Sequence, residues 1–146
     1  MNMSAEREKA LIRQFYLACN TGELEMVLPF IAPIFTDHAA PEQCAYGIEG
    51  FVQARKLSGQ ALREVTIEID DLLSAERHCV VAMLTIHATQ VGEYKGVPYP
   101  GHPRAITWRT ISVLRCQHGK LIEHWECTAI TPSPHHIPAL VAEGAA

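Results

Sequence analysis

The hydrophobic period of this chain changes once, and that change limits the fold more than any other feature. Up to about residue 57 the apolar residues recur at helical spacing; from Val65 onward they alternate. Leu11, Phe15, Ala18 and Cys19 stand at i, i+4, i+7 and i+8, one face of a helix. Ser4 is its expected N-cap, Glu6 and Glu8 suit the positive helix end, and Asn20-Thr21-Gly22 stops it. Leu24, Val27, Leu28 and Ile31 repeat the spacing around Pro29, so the second helix is short or kinked, and Pro33 marks its end. Ile34 to His38 reads as a short extended segment and Ala39 to Gly47 as a loop. A third helix is expected over Ile48–Leu57, ending at Ser58-Gly59.

The remainder reads as strand. Val65, Ile67 and Ile69 alternate with Thr66, Glu68 and Asp70, which gives one wet face. Ser74 to Arg77 makes a turn. His78–Thr89 is apolar on both faces for most of its length, so both faces need cover. Val91 to Pro103 carries three glycines and three prolines, too punctuated for a hairpin turn, and reads as a rim or lid. Ala105–Arg115 and Leu121–Thr131 form a hairpin about the Gly119 turn. Helices first and strands afterwards predict an α+β fold, with N-terminal helices packed on a strongly curved, mostly antiparallel sheet. Residues 1–131 are expected to form a single domain, and residues 132–146, with three prolines, a C-terminal tail.

Composition removes several function classes. The net charge of -4 and the absence of a Lys/Arg stripe argue against nucleic acid as a partner. There is no signal-type apolar stretch and no run of membrane-span length, so a soluble, cytoplasmic protein is expected, with no membrane partner. The five cysteines are odd in number and form no CxxC pair, which suits reduced thiols. HxH, HExxH and HxxxH spacings, a glycine-rich phosphate loop and a GxSxG elbow are all missing. Neither a metal nor another cofactor is expected.

Gly119-Lys120-Leu121-Ile122-Glu123-His124-Trp125-Glu126, near the chain end, resembles the SnoaL-like polyketide cyclases, or ester cyclases, of the nuclear transport factor 2-like superfamily. Other pieces resemble that family in the same order. They are Lys9-Ala10-Leu11-Ile12-Arg13-Gln14-Phe15-Tyr16, then Asn20-Thr21-Gly22-Glu23-Leu24-Glu25, then Phe35-Thr36-Asp37-His38, then Gly92-Glu93-Tyr94-Lys95-Gly96-Val97-Pro98. The resemblance covers roughly residues 7 to 131. It implies a cone-shaped α+β barrel whose open end is a pocket for a small hydrophobic molecule, and a homodimer through the outer sheet face. It also implies cofactor-independent acid/base chemistry, such as cyclisation, isomerisation, dehydration or hydrolysis, on a carbonyl-bearing substrate. The family's catalytic aspartate falls at Ala129, whose methyl group cannot move a proton.

Histidine is the natural replacement, because its unperturbed pKa of about 6.5 lets it exchange protons near neutrality. His38, beside Asp37, and His87, near the end of the long strand, rank ahead of His124. On an unbroken strand Trp125, Cys127 and Ala129 share one face and His124, Glu126 and Thr128 the other. The resemblance assigns the first set to the pocket wall. Phe15 and Tyr16 on the first helix, and Trp108 on a face with Thr110 and Ser112, complete the expected substrate-binding set. The competing reading is a non-catalytic ligand-binding or dimerisation module of the same fold.

Overall fold

Helix α1 spans Met3–Asn20 in the computed structural model, which describes residues 3–128. Ser4 therefore lies within this helix and does not cap it. The helix ends where Gly22 takes a φ of +74° and Thr21 and Gly22 donate back to the Ala18 and Cys19 carbonyls. Asn20 is turned to a second use. Its amide pairs with both backbone groups of Ile67, at 2.9 and 2.7 Å, and ties the helix to the sheet edge. Helix α2 is a single turn, Leu24–Val27, continued by a 3-10 turn over Leu28–Phe30 that carries Pro29. Pro33 does not follow a helix; it lies inside strand β1, Ile31–Asp37, which starts earlier than expected.

The segment after β1 holds a 3-10 turn over Glu42–Cys44, and helix α3 runs Gly47–Ala61. It passes through Ser58-Gly59, because neither residue bars helical φ/ψ. A side chain at Gly50 would sit 2.6 Å from the Cys44 carbonyl oxygen, so the helix rests directly on the preceding turn. Strands β2 (Leu62–Ala75), β3 (Cys79–Gln90), β4 (Arg104–Gln117) and β5 (Lys120–Thr128) follow. The sheet order is β1-β5-β4-β3-β2, antiparallel except that β1 pairs parallel with β5.

The inner sheet face closes over α1 and α3. Ile12, Phe15, Val27, Ile31, Val80, Leu84, Ile106, Leu114 and Leu121 make the body of the core. The β4–β5 turn has positive φ at both His118 and Gly119, the combination that matches the twist of a tight hairpin. Within that hairpin Arg115 pairs with Glu123 but Cys116 pairs with Leu121, so Ile122 is an extra residue, a β-bulge. The last three residues expected of this strand, Ala129 among them, and the tail 132–146 lie outside the described residues.

Candidate active site

The helices and the inner face of the sheet enclose a cavity of about 350 Å³. Its walls are mostly apolar: Phe15 from α1, Phe35 from β1, Phe51 and Ala54 from α3, Leu84 and Ile86 from β3, and Leu114 and Leu121 from the hairpin. Tyr16, Asp37, Ser112, His124 and Glu126 add polar groups, and Glu93, Tyr94 and Lys95 close the rim. This size and mixture are typical of a small-molecule site.

The bulge at Ile122 decides which residues of β5 reach the cavity. An unbroken strand would put Leu121, Glu123 and Trp125 on one face. The extra residue restarts the alternation, so Leu121, His124 and Glu126 point inward. The parity expected from the sequence is therefore inverted. Trp125 and Cys127 do not line the cavity, and Cys127 is exposed.

His124 meets Asp37 inside. The two are register partners on neighbouring parallel strands, and His124 Nδ1 lies 2.8 Å from Asp37 Oδ1. Both side chains are largely buried. Burial raises the Asp37 pKa, but the hydrogen bond and charge of His124, the Ala39 N–H at 2.9 Å and the Lys95 charge outweigh it. The net effect holds Asp37 below its ordinary value, so it is a carboxylate at neutral pH. A carboxylate only accepts, so Nδ1 carries a proton, and in the neutral imidazole Nε2 is then the nitrogen with the lone pair. Nε2 lies 3.2 Å from Ser112 Oγ, which is thus the donor in that contact. Burial pushes the Tyr16 pKa well above its usual range, outweighing the neighbouring Ser112 hydroxyl, which lowers it. Tyr16 keeps its proton and is a donor. Asp37, His124 and Ser112 therefore form one polar line in an apolar cavity whose lining also includes Tyr16.

A second carboxylate is neutralised differently. Lys95 donates to Glu126 Oε2 at 2.7 Å, and Thr128 Oγ1 donates to the same oxygen at 3.0 Å. Burial works against the Lys95 ammonium, yet Glu126 and Tyr94 raise its pKa above the ordinary value. This pair joins the rim to β5. Behind the rim, the fully buried Gln90 donates its amide to the carbonyls of Gly92, Val97 and Pro98, and accepts from Arg104 Nε at 2.8 Å. Segment 91–103 is thus a rim anchored from below.

The other candidates fall elsewhere. His38 Nε2 contacts Glu123 Oε2 at 2.9 Å, and its ring stacks on Trp125 with centroids 4.7 Å apart. Arg115 lies over the other component of that stack, 5.2 Å from the Trp125 centroid, and pairs with Glu123. All four sit outside the cavity, because adjacent residues of an extended strand face apart: Asp37 turns in and His38 turns out. His87 likewise points to the outer face, between Thr107 at 2.9 Å and Glu68 at 3.2 Å, while its neighbour Ile86 lines the cavity. Trp108 is buried on the inner face and packs on Tyr94, centroids 5.5 Å apart, supporting the wall without forming it. Phe15 and Tyr16 are lining residues, as expected. Glu126, Lys95 and Gln90 were not anticipated. The shared parity of Glu126 with His124 was the available signal. No cluster of three or more metal-binding side chains occurs among the described residues.

Residues 10–129 match the family described as SnoaL-like polyketide cyclase. No curated protein matches the chain by sequence. Among solved structures, AclR, a proposed hydroxylase from Streptomyces galilaeus, superposes with a TM-score of 0.69 at 23% identity, over 88% of this chain and 78% of its own. TsrD from Streptomyces laurentii gives 0.67 at 21% identity, over 88% and 91%. IdmH, a proposed polyketide cyclase from Streptomyces antibioticus, gives 0.65 at 23% identity, over 84% and 91%. At such identities the likeness establishes the fold, the cone-shaped α+β arrangement expected from the sequence.

Proposed function

This chain belongs to the SnoaL-like polyketide cyclase family, and we propose that it is an enzyme moving a proton on a small hydrophobic, carbonyl-bearing molecule. The observation that carries this reading is the Asp37–His124 pair at 2.8 Å in the wall of a largely apolar cavity. Asp37 fixes the tautomer and steadies the imidazolium that forms. Nε2 of His124 is the base that takes a proton from carbon next to a carbonyl. The Tyr16 hydroxyl, kept protonated by burial, donates to the oxygen where negative charge develops. Cyclisation, isomerisation and dehydration can each proceed from such a transfer, and hydrolysis from the same base taking a proton from water that attacks the carbonyl carbon. Ala129 stands where the resemblance puts the family's aspartate, so the base here is a different group.

Deuterium uptake from D2O at the carbon beside the carbonyl of 2-tetralone tests the proposal. Wild type should accelerate exchange above buffer. His124→Gln should lose about 10²- to 10⁴-fold, the usual worth of general base catalysis. Exchange at the buffer rate, with the probe bound, would reject catalysis and favour the binding module that Ala129 suggests.

The proposal includes a homodimer. Leu73, Met83 and Ile111 are 47%, 40% and 46% exposed, and Met83 and Ile111 are cross-strand partners on the outer face. A contiguous apolar patch of this kind suits a second copy. Light scattering should report two chains, and Met83→Glu with Ile111→Glu should return one. A cytoplasmic location fits the free cysteines, and among the described residues no helix is long and apolar enough to cross a membrane.

A further inference from the structure

Among the described residues two cations line the cavity, Lys95 and Arg55, and they differ in one respect. Lys95 is already paired with Glu126. Arg55, on α3, has no described carboxylate within ion-pair distance. Its guanidinium lies 5.5 Å from the centroid of Phe51 and against the Cys19 thiol, neither of which neutralises a charge. Glu93, the remaining carboxylate of the rim, lines the cavity without pairing to it. Ser58 stands three residues on, on the same helix face, and also lines the cavity. Its hydroxyl has no hydrogen-bond partner among the described residues. A planar guanidinium and a hydroxyl on one helix face, both lining the cavity, suit the two oxygens of a carboxylate.

We propose that the ligand carries a carboxylate, held by Arg55 and Ser58 on the helical wall, while its carbonyl faces His124 on the sheet wall. This rests on the reading of the cavity as a substrate site and names the class of molecule it takes: an apolar body with an acid group set apart from the reacting carbon. Phe15, Phe35 and Phe51 supply the apolar surface between the two walls. Arg55 is a binding and specificity residue in this arrangement, with no part in the proton transfer.

A matched pair of probes, 2-naphthoate and 2-naphthamide, isolates the charge. Calorimetry on the full chain should show the acid binding wild type about tenfold or more tightly than the amide, the worth of one charge-assisted hydrogen bond. Amide-resonance shifts of Tyr94 and His124 should locate both probes in the cavity. Arg55→Gln should bring the acid down to the amide's affinity, and Arg55→Lys should keep part of the preference. Unchanged melting temperatures would show that both variants fold. Equal affinities in wild type, a preference that survives Arg55→Gln, or no binding of either probe would overturn the inference. The acid–base reading fails separately. If 2-tetralone exchange stays at the buffer rate while the Arg55-dependent preference holds, the carboxylate site stands and the catalytic role of His124 falls.

Discussion

Strands β1 and β5 build two histidine–carboxylate pairs side by side, one on each face of the sheet. Inside, His124 meets Asp37 at 2.8 Å; outside, His38 meets Glu123 at 2.9 Å. The residues are chain neighbours, Asp37 with His38 and Glu123 with His124, and the contacts are nearly equal in length. Their surroundings differ. The inner pair is largely buried, continues into Ser112, and faces an apolar cavity. The outer pair is capped by Trp125 and shares its carboxylate with Arg115. A close pair is therefore not yet a site. Only the inner one turns its Nε2, in contact with the Ser112 hydroxyl, toward an apolar cavity that can hold a bound molecule. The outer one reads as a surface network that holds the edge of the hairpin.

The largest expected effect separates the pairs by activity. His124→Gln should reduce 2-tetralone exchange by about 10²- to 10⁴-fold, whereas His38→Gln should leave it within about twofold. A large loss in His38→Gln would break the comparison. Asp37→Asn comes next. An amide can donate to Nδ1 and so favour the wrong tautomer, and exchange should fall on the order of 10²-fold with the melting temperature little changed.

Stability should then order the outer network. Trp125 is only partly buried, so Trp125→Ala should cost about 1–2 kcal/mol, less than the roughly 3–5 kcal/mol of a core aromatic. Denaturant titration measures it, and exchange per folded molecule should be unchanged. The smallest effect is the acid dependence. Asp37 titrates below its ordinary value when folded. Its stabilisation is fully present above the ordinary value, about pH 4, and is lost as pH falls through the folded value. Wild type should lose more stability than Asp37→Asn as pH is lowered from about 5 to about 3. Parallel curves would show that the Asp37–His124 pair adds nothing to the fold.

Much of the architecture was legible in residue order. The single change of period, the stop at Asn20-Thr21-Gly22 and the Gly119 turn define helices followed by a hairpin-rich sheet, because each depends on neighbours a few residues apart. The punctuated segment 91–103 was legible as a rim for the same reason. Ser4 and Pro33 were misread, since either residue type is also tolerated elsewhere in a helix turn or at an edge strand. β1 is such an edge strand, the fifth in sheet order from β2.

The candidate site divides along the same line. The sequence by itself determined the set of residues: His124, Glu126 and Thr128 share a face of the last strand, and Asp37 opposes His38, because side chains alternate with period two. Which face turns toward the helices was decided by the tertiary structure. One unpaired residue, Ile122, reverses the alternation, and a bulge leaves no mark in residue type or spacing. The pairing of Asp37 with His124 likewise joins positions 87 apart through a parallel strand contact that no local pattern encodes. Local sterics write periodicity into the chain; register, and with it the choice of the working histidine, is fixed only when distant strands compete for one buried face.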